Sequence, residues 1–199
     1  MKTVEKWEKF CYTVLRKLPL CGANPALHGE EKEEIMLVCT VTDVRDFMEK
    51  LFLKDTFDGF QLMEAVIVTA NTFVIDGHIR EEYYTKEEWE QLAEKKVSRW
   101  KELRPLCFQM IKGKKTPESM KLVFRMADSG VEKLLIQSGL TFQLTDVEGL
   151  FFNVRYENDK LQLTSGVSMK LFTMDKSLER FWEQRLQGFL KQAEIVCEQ

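Results

Sequence analysis

The most basic segment of the chain lies between positions 112 and 125. It contains Lys112, Lys114, Lys115, Lys121 and Arg125 against one glutamate, a net charge of +4 in a chain whose formal net charge is −3. Lysine and arginine at this density can neutralise phosphates, so the segment predicts contact with a nucleic acid or a nucleotide. A solvated loop explains the same residues, because lysines also favour the C-terminal end of a preceding helix.

Further donors and an aromatic ring lie just upstream of this segment. Arg99 and Arg104 add positive charge, and the indole of Trp100 could stack on a base. The candidate contact residues for a partner or a nucleic acid are therefore Arg99, Trp100, Lys112, Lys114, Lys115 and Lys121.

Three aspartates offer the hard oxygen ligands that Mg²⁺ prefers. Asp55 and Asp58 lie beside Gly59, and Asp76 follows about twenty residues later. Each aspartate also has a structural explanation, because Asp is common in turns and the Asp76–Gly77 pair is a strong signal for a type I′ turn. A magnesium-dependent enzyme is therefore the third functional hypothesis.

The remaining residue types give little support to catalysis. The chain has two histidines, His28 and His78, and neither is near a nucleophile with an orienting carboxylate. The GxSxG, HExxH, P-loop and GxGxxG patterns are absent from the sequence. We assign no catalytic residue, cofactor or metal. A non-enzymatic binding or regulatory module, whose partner is another protein or a second copy, is the leading hypothesis, with nucleic-acid association through the basic segment as the alternative.

The cysteines and the apolar segments indicate in which cellular compartment the protein is expected. Five cysteines are scattered without metal-ligand spacing, which is typical of a reduced, cytoplasmic chain. We expect Cys11, Cys39 and Cys107 to be buried thiols and Cys21 to be the reactive one. The sequence has no apolar run of membrane-spanning length and no signal-peptide pattern, so a membrane partner is not expected.

The elements that must position these residues form a helix-rich α+β fold. Low glycine and proline content, 10 and 4 of 199 residues, argues against a many-stranded sandwich. Residues 1–34 are predicted to be an amphipathic helix followed by an acidic linker, and residues 35–199 a single α+β domain ending in a second amphipathic helix. Helices are predicted at 44–53 and 130–138, and the region 149–173 as a three-stranded meander.

Two parts of this domain have the same element order. Residues 35–80 and 119–172 each run strand, capped helix, then two or three strands, which predicts antiparallel sheet or sheets built from two βαββ(β)-like units. Such a pseudo-repeat is similar in element order to one subunit of a DNA sliding clamp, an analogy of order alone.

Five segments between residues 43 and 190 have the sequences DVRDFMEKLFLKDTFDGF, EAVIVTANTFVIDGHI, WKELRPLCFQMIKGKKTP, GLFFNVRYEND and SGVSMKLFTMDKSLE. These segments resemble an uncharacterised bacterial family, a domain of unknown function found mainly in clostridia-like Firmicutes. The resemblance implies a bacterial cytoplasmic protein and brings no activity, cofactor or site residue.

Overall fold

The computed structural model describes residues 37–92 and 96–198. The predicted N-terminal helix and linker lie outside these residues, as do Cys11, Cys21 and His28. In the described part the fold is α+β, with one seven-stranded antiparallel sheet and five α-helices. The strands are β1 (Val38–Val41), β2 (Gln61–Val68), β3 (Thr72–Asp76), β4 (Ser119–Arg125), β5 (Val147–Glu157), β6 (Lys160–Met169) and β7 (Cys197–Glu198). The helices are α1 (Val44–Phe52), α2 (Lys86–Gln91), α3 (Trp100–Ile111), α4 (Asp128–Ser138) and α5 (Ser177–Gln192).

The strand order in the sheet is β3-β2-β4-β5-β6-β1-β7, and every neighbouring pair is antiparallel. The short connections 69–71 and 158–159 close the β2–β3 and β5–β6 hairpins at one end of the sheet, which we call the hairpin end. The segment before β4 lies at the same end, because the Glu118 amide donates to the Val68 carbonyl at 2.8 Å.

The core lies on one face of the sheet because side chains alternate along each strand. On β5, Leu150, Phe152 and Val154 are completely buried on that face. Phe57, in the loop after α1, stacks on Phe152 with ring centroids 6.0 Å apart and meets Phe189 of α5 edge-on at 5.5 Å. Aromatic contacts of this kind add to the stabilisation from buried apolar area.

The helices that cover this face follow the apolar periods of the sequence. On α1 the Asp43 carboxylate accepts from the Asp46 amide at 2.9 Å and caps the helix, while Phe47 and Leu51 are buried. On α5 the buried side chains recur every four residues, at Leu178, Trp182, Leu186 and Leu190. The helices predicted at 44–53, at 130–138 and at the C-terminus are confirmed.

The predicted three-stranded meander is wrong, because β6 is one strand of ten residues. Gly166 is a residue type that often interrupts a strand, yet it remains within β6 opposite Phe151. The residues predicted as the third strand continue β6 only to Met169, and the chain then leaves the sheet.

The predicted type I′ turn at Asp76–Gly77 is also wrong. That turn requires positive φ at both central residues, and Gly77 is not among the described residues with positive φ. Asn158 and Asp159, with φ of 53° and 59°, provide that conformation between β5 and β6 instead. Gly77 has a different role. A Cβ there would lie 1.6 Å from the Leu62 carbonyl oxygen, so the position requires glycine because two backbone segments approach closely.

The two predicted βαββ units keep their element order but differ in strand pairing. β4 pairs with β5 of its own unit, whereas β1 pairs with β6 of the other unit and is separated from β2 by three strands. The pseudo-repeat and the sliding-clamp analogy therefore stay predictions about element order.

Candidate functional site

Trp100 lies in the core and cannot stack on a ligand from this position. Its side chain is 0% exposed, and its indole Nε1 donates to the Leu51 carbonyl at 2.9 Å. The ring packs edge-on against Phe124, with centroids 5.2 Å apart. The prediction that Trp100 is a stacking platform is therefore corrected: Trp100 is the first residue of α3 and anchors that helix to the sheet.

Lys121 and Arg125 lie on the face of the sheet opposite the core, where carboxylates already neutralise them. The Lys121 ammonium is 2.7 Å from a Glu64 carboxylate oxygen on the neighbouring strand. The Arg125 guanidinium donates to Asp128 at 2.6 Å, to the Gln61 side chain at 3.1 Å and to the Glu148 carbonyl at 3.1 Å. These pairs stabilise the local structure and leave little net charge for a phosphate.

Arg99 is separated from the lysines that follow α3. The backbone of Arg99 forms an isolated antiparallel β-bridge with Gln61, which lies at the start of β2 and away from the hairpin end. Twelve helical residues lie between Arg99 and Lys112, so thirteen steps of 1.5 Å place the two about 20 Å apart along the helix axis. The six predicted contact residues therefore do not form one surface.

Lys112, Lys114 and Lys115 do remain together, in a loop that we call the lysine loop (Lys112–Lys115). All three are exposed, and within the described ranges none of them forms an ion pair. The loop lies at the hairpin end of the sheet. It is the part of the predicted basic segment that could meet a phosphate.

The three turn aspartates have local partners. The Asp55 carbonyl accepts from the Asp58 amide at 3.0 Å, and the Asp58 carboxylate is 2.9 Å from the Arg104 guanidinium. The Asp76 carboxylate accepts from the His78 amide at 2.9 Å and contacts the His78 ring. Among the residues that the structure describes, no group of three or more His, Cys, Asp or Glu side chains is arranged to hold a metal ion.

The most prominent apolar feature of the described surface was not predicted from the sequence. Residues 170–176, which connect β6 to α5, contain neither helix nor strand, and we call them the apolar loop. Leu171, Phe172 and Met174 are 79%, 93% and 85% exposed. Large apolar side chains that are exposed together are typical of a surface that contacts a partner.

Hydrogen bonds give the apolar loop a specific conformation. At its start, the Lys170 amide donates to the Asp146 carbonyl at 2.9 Å. At its end, the Asp175 amide donates to the Thr173 hydroxyl at 3.1 Å, and the Asp175 carboxylate accepts from the Ser177 amide at 2.9 Å. The hydrogen bond from the Ser177 amide holds the pKa of Asp175 below its ordinary value.

A sequence signal for this loop existed. Thr173, Asp175 and Ser177 are spaced two apart, and Thr, Asp and Ser side chains bond to nearby backbone amides in turns and at helix starts. That pattern competes with a strand. The segment VSMKLFT, which contains Leu171 and Phe172, is instead predicted as the third strand of the meander.

The described thiols lie in protected positions. Cys39 and Cys107 are buried, as predicted, and burial raises the pKa of each to about 12. Cys197 on β7 is half-buried and hydrogen-bonded to Cys39, and burial raises its pKa as well. A thiol with a raised pKa contains little of the nucleophilic thiolate, so these three are poor nucleophiles.

The described helices include none that is both long and apolar enough to cross a bilayer.

Comparisons with known proteins identify a family and no activity. No curated protein matches the chain, and no solved structure matches it. A family model matches residues 50–198, which contain six of the seven described strands, the lysine loop and the apolar loop. The chain belongs to DUF5721, a family of unknown function.

Proposed function

We propose that this protein is a non-enzymatic binding module and that the apolar loop is the segment that binds another protein. The observation that supports the proposal is the exposure of Leu171, Phe172 and Met174 on a loop whose conformation is held by hydrogen bonds at both ends. An ordered loop loses less conformational entropy on binding than a flexible one, so more of its contact energy contributes to affinity.

The three side chains suit a concave apolar pocket on the partner. Complete burial of a Leu, Phe or Met side chain contributes about 1.5–3 kcal/mol before the costs of association are subtracted. Binding energy in protein interfaces concentrates in a few such residues, and aromatic side chains are prominent among them. We therefore expect Phe172 to contribute the largest share of the binding energy.

Compartment and source are part of the same proposal. We propose a cytoplasmic, bacterial protein, which is supported by the scattered free cysteines and by the family resemblance. A reduced compartment keeps the thiols of Cys39, Cys107 and Cys197 free.

Photo-crosslinking in the native cell tests the proposal. A benzophenone amino acid replaces Met174 in one variant and Gln184, an exposed residue of α5, in the control. We expect the first variant to form an adduct with one other protein and the control to form none. The adduct should disappear when Phe172→Ser is added. No adduct at 174, the same adducts from 184, or an adduct made only with a second copy of this chain would contradict the proposal.

Binding of the purified partner then gives the magnitude. We expect Phe172→Ser to weaken the affinity about 30-fold, which corresponds to a contribution of roughly 2 kcal/mol. The matched control is Ile136→Ser, which removes a 76% exposed apolar side chain from α4 and should leave the affinity unchanged. Both variants should unfold at the wild-type temperature, because neither side chain is buried.

A further inference from the structure

One edge of the sheet is open in the described structure. β3 is the first strand in the sheet order, so its outer side pairs with no other described strand. The opposite edge strand, β7, has two residues, whereas β3 has five. An unpaired strand edge presents a row of backbone donors and acceptors to which another strand can add.

β3 lacks the features that normally block such addition. Its pairing with β2 is continuous from Thr72 to Asp76, with no bulge that would twist the edge away. It contains neither lysine nor proline, and β-branched or aromatic residues occupy its first four positions. Proteins commonly protect their edge strands with a lysine, a proline or a bulge, and the one charged residue of β3, Asp76, lies at its end.

Apolar side chains are exposed on both faces of this edge. Phe73 and Ile75 lie on the core side and pack against the core, yet each is only half-buried. Val74 lies on the opposite face and is 67% exposed. The apolar core is thus left incomplete at β3, and a further strand would cover it.

We propose that a second copy of this chain adds its own β3 to this edge. The two strands run antiparallel about a two-fold axis at Val74, so that Val74 is opposite the partner's Val74 and Phe73 is opposite the partner's Ile75. Asp76, the charged residue of the strand, is then opposite the partner's Thr72, and the two aspartates do not face each other. Aromatic and β-branched cross-strand pairs stabilise antiparallel sheets, and facing like charges destabilise them, so this register is favourable.

The contact is small and therefore reversible. Five residues per copy bury less than the roughly 1,200 Å² of a standard stable interface, so the dimer forms in a concentration-dependent way. The self-complementary contact closes on two copies and does not extend to a filament. The dimer contact lies at the β3 edge of the sheet, whereas the apolar loop follows β6, four positions away in the strand order.

Sedimentation velocity tests the dimer. Between about 1 and 200 µM, a range suited to weak interfaces, we expect the wild-type mass to rise from 23.4 kDa towards twice that value. Val74→Lys should remain at the monomer mass, because two lysines would face each other across the axis. Ile136→Lys is the matched control, since it also places lysine at an exposed β-branched residue, and Phe172→Ser is a second control; both should dimerise normally.

Disulfide trapping tests the register. Paired residues of antiparallel strands have Cα atoms about 4.5–5.5 Å apart, within the range that a disulfide spans. With copper phenanthroline as oxidant, Val74→Cys should therefore form a covalent dimer in excess of any formed by the native cysteines. Thr72→Cys should not, because the two Thr72 positions are roughly 14 Å apart in this register. A wild-type monomer throughout the concentration range, an unchanged dimer in Val74→Lys, or trapping of Thr72→Cys as efficient as that of Val74→Cys would each overturn the proposal.

Discussion

Replacing Gly77 with alanine tests the close approach of backbone segments next to β3. The Gly77 amide donates to the Met63 carbonyl at 3.0 Å, and the Gly77 carbonyl accepts from the Ser98 amide at 2.8 Å. Gly77 thereby joins β2 to the segment that leads into α3. The β2 register shifts between Leu62 and Glu64, so Gly77 lies against an irregular part of that strand.

The magnitude follows from the geometry. A Cβ at position 77 would lie 1.6 Å from the Leu62 carbonyl oxygen, and Cβ atoms essentially never approach other atoms more closely than 3.0 Å. The two segments must therefore separate by more than an ångström, and the obstacle is backbone that cannot rotate away. Both hydrogen bonds of Gly77 would break, at about 0.5–1.5 kcal/mol each. With the packing lost nearby, we expect the free energy of unfolding to fall by about 2–4 kcal/mol.

Urea unfolding followed by tryptophan fluorescence measures this loss. A decrease of that size lowers the midpoint by about 1–2 M urea. The control is Gly188→Ala on α5, where an added Cβ meets nothing within 4 Å; helix propensity predicts that this variant gains about 0.5–1 kcal/mol.

The variant Gly77→Asn distinguishes two reasons for a glycine at this position, a close backbone approach and a type I′ turn. Asparagine is well tolerated in a type I′ turn, whereas the close approach excludes any side chain with a Cβ. We therefore expect Asn to destabilise at least as much as Ala. Wild-type stability in Gly77→Asn, or a loss below about 0.5 kcal/mol in Gly77→Ala, would refute the reasoning.

Two further predictions concern pH and salt. Burial raises the pKa of Cys107 from 9.0 to about 12, so above pH 9 the unfolded chain loses this proton while the folded protein keeps it. Stability should therefore fall as pH rises from 9 to 12, and Cys107→Ala should reduce that slope by up to about 1.4 kcal/mol per pH unit; equal slopes in urea titrations would contradict the burial effect. If the lysine loop binds nucleic acid, three phosphate contacts predict a slope of roughly −3 in a plot of log affinity against log salt. Changing its three lysines to glutamate should abolish binding while Arg99→Ala leaves the slope unchanged, and identical binding by wild type and the triple variant would exclude this role.

Local sequence patterns predict the helices, because a helix is stabilised mainly by interactions between residues close together in the chain. The apolar period of residues 44–53 predicts α1, which the structure contains. Thr85 and Glu88 have the sequence spacing of a capping box, and α2 begins with that box, in which the Glu88 amide donates to the Thr85 hydroxyl at 3.3 Å. A helix is stabilised by residues three and four apart, so its signal lies within a short window. The α+β class followed from the same periods.

Turn and capping patterns predict positions less accurately where neighbouring residues could serve the same purpose. Ser129 and Glu132 form a capping-box pattern, yet α4 begins at Asp128 with Ala127 as its cap residue. Glycine at position 77 was assigned to a turn because sequence cannot distinguish a positive φ from a close approach. The distinction depends on where Leu62 lies, which is a property of the folded sheet.

The sequence by itself determined which residues alternate, where the helices form and that the fold is α+β, because these depend on interactions between near neighbours. Only the tertiary structure decided that β1 joins β6, that Trp100 is buried, and that the Glu64 carboxylate neutralises Lys121. It also decided that Phe172 is exposed and that the outer side of β3 pairs with no other described strand. The same side-chain types occur in cores and on surfaces, so exposure is set by which distant segments cover them, and strand order is set by packing over the whole sheet.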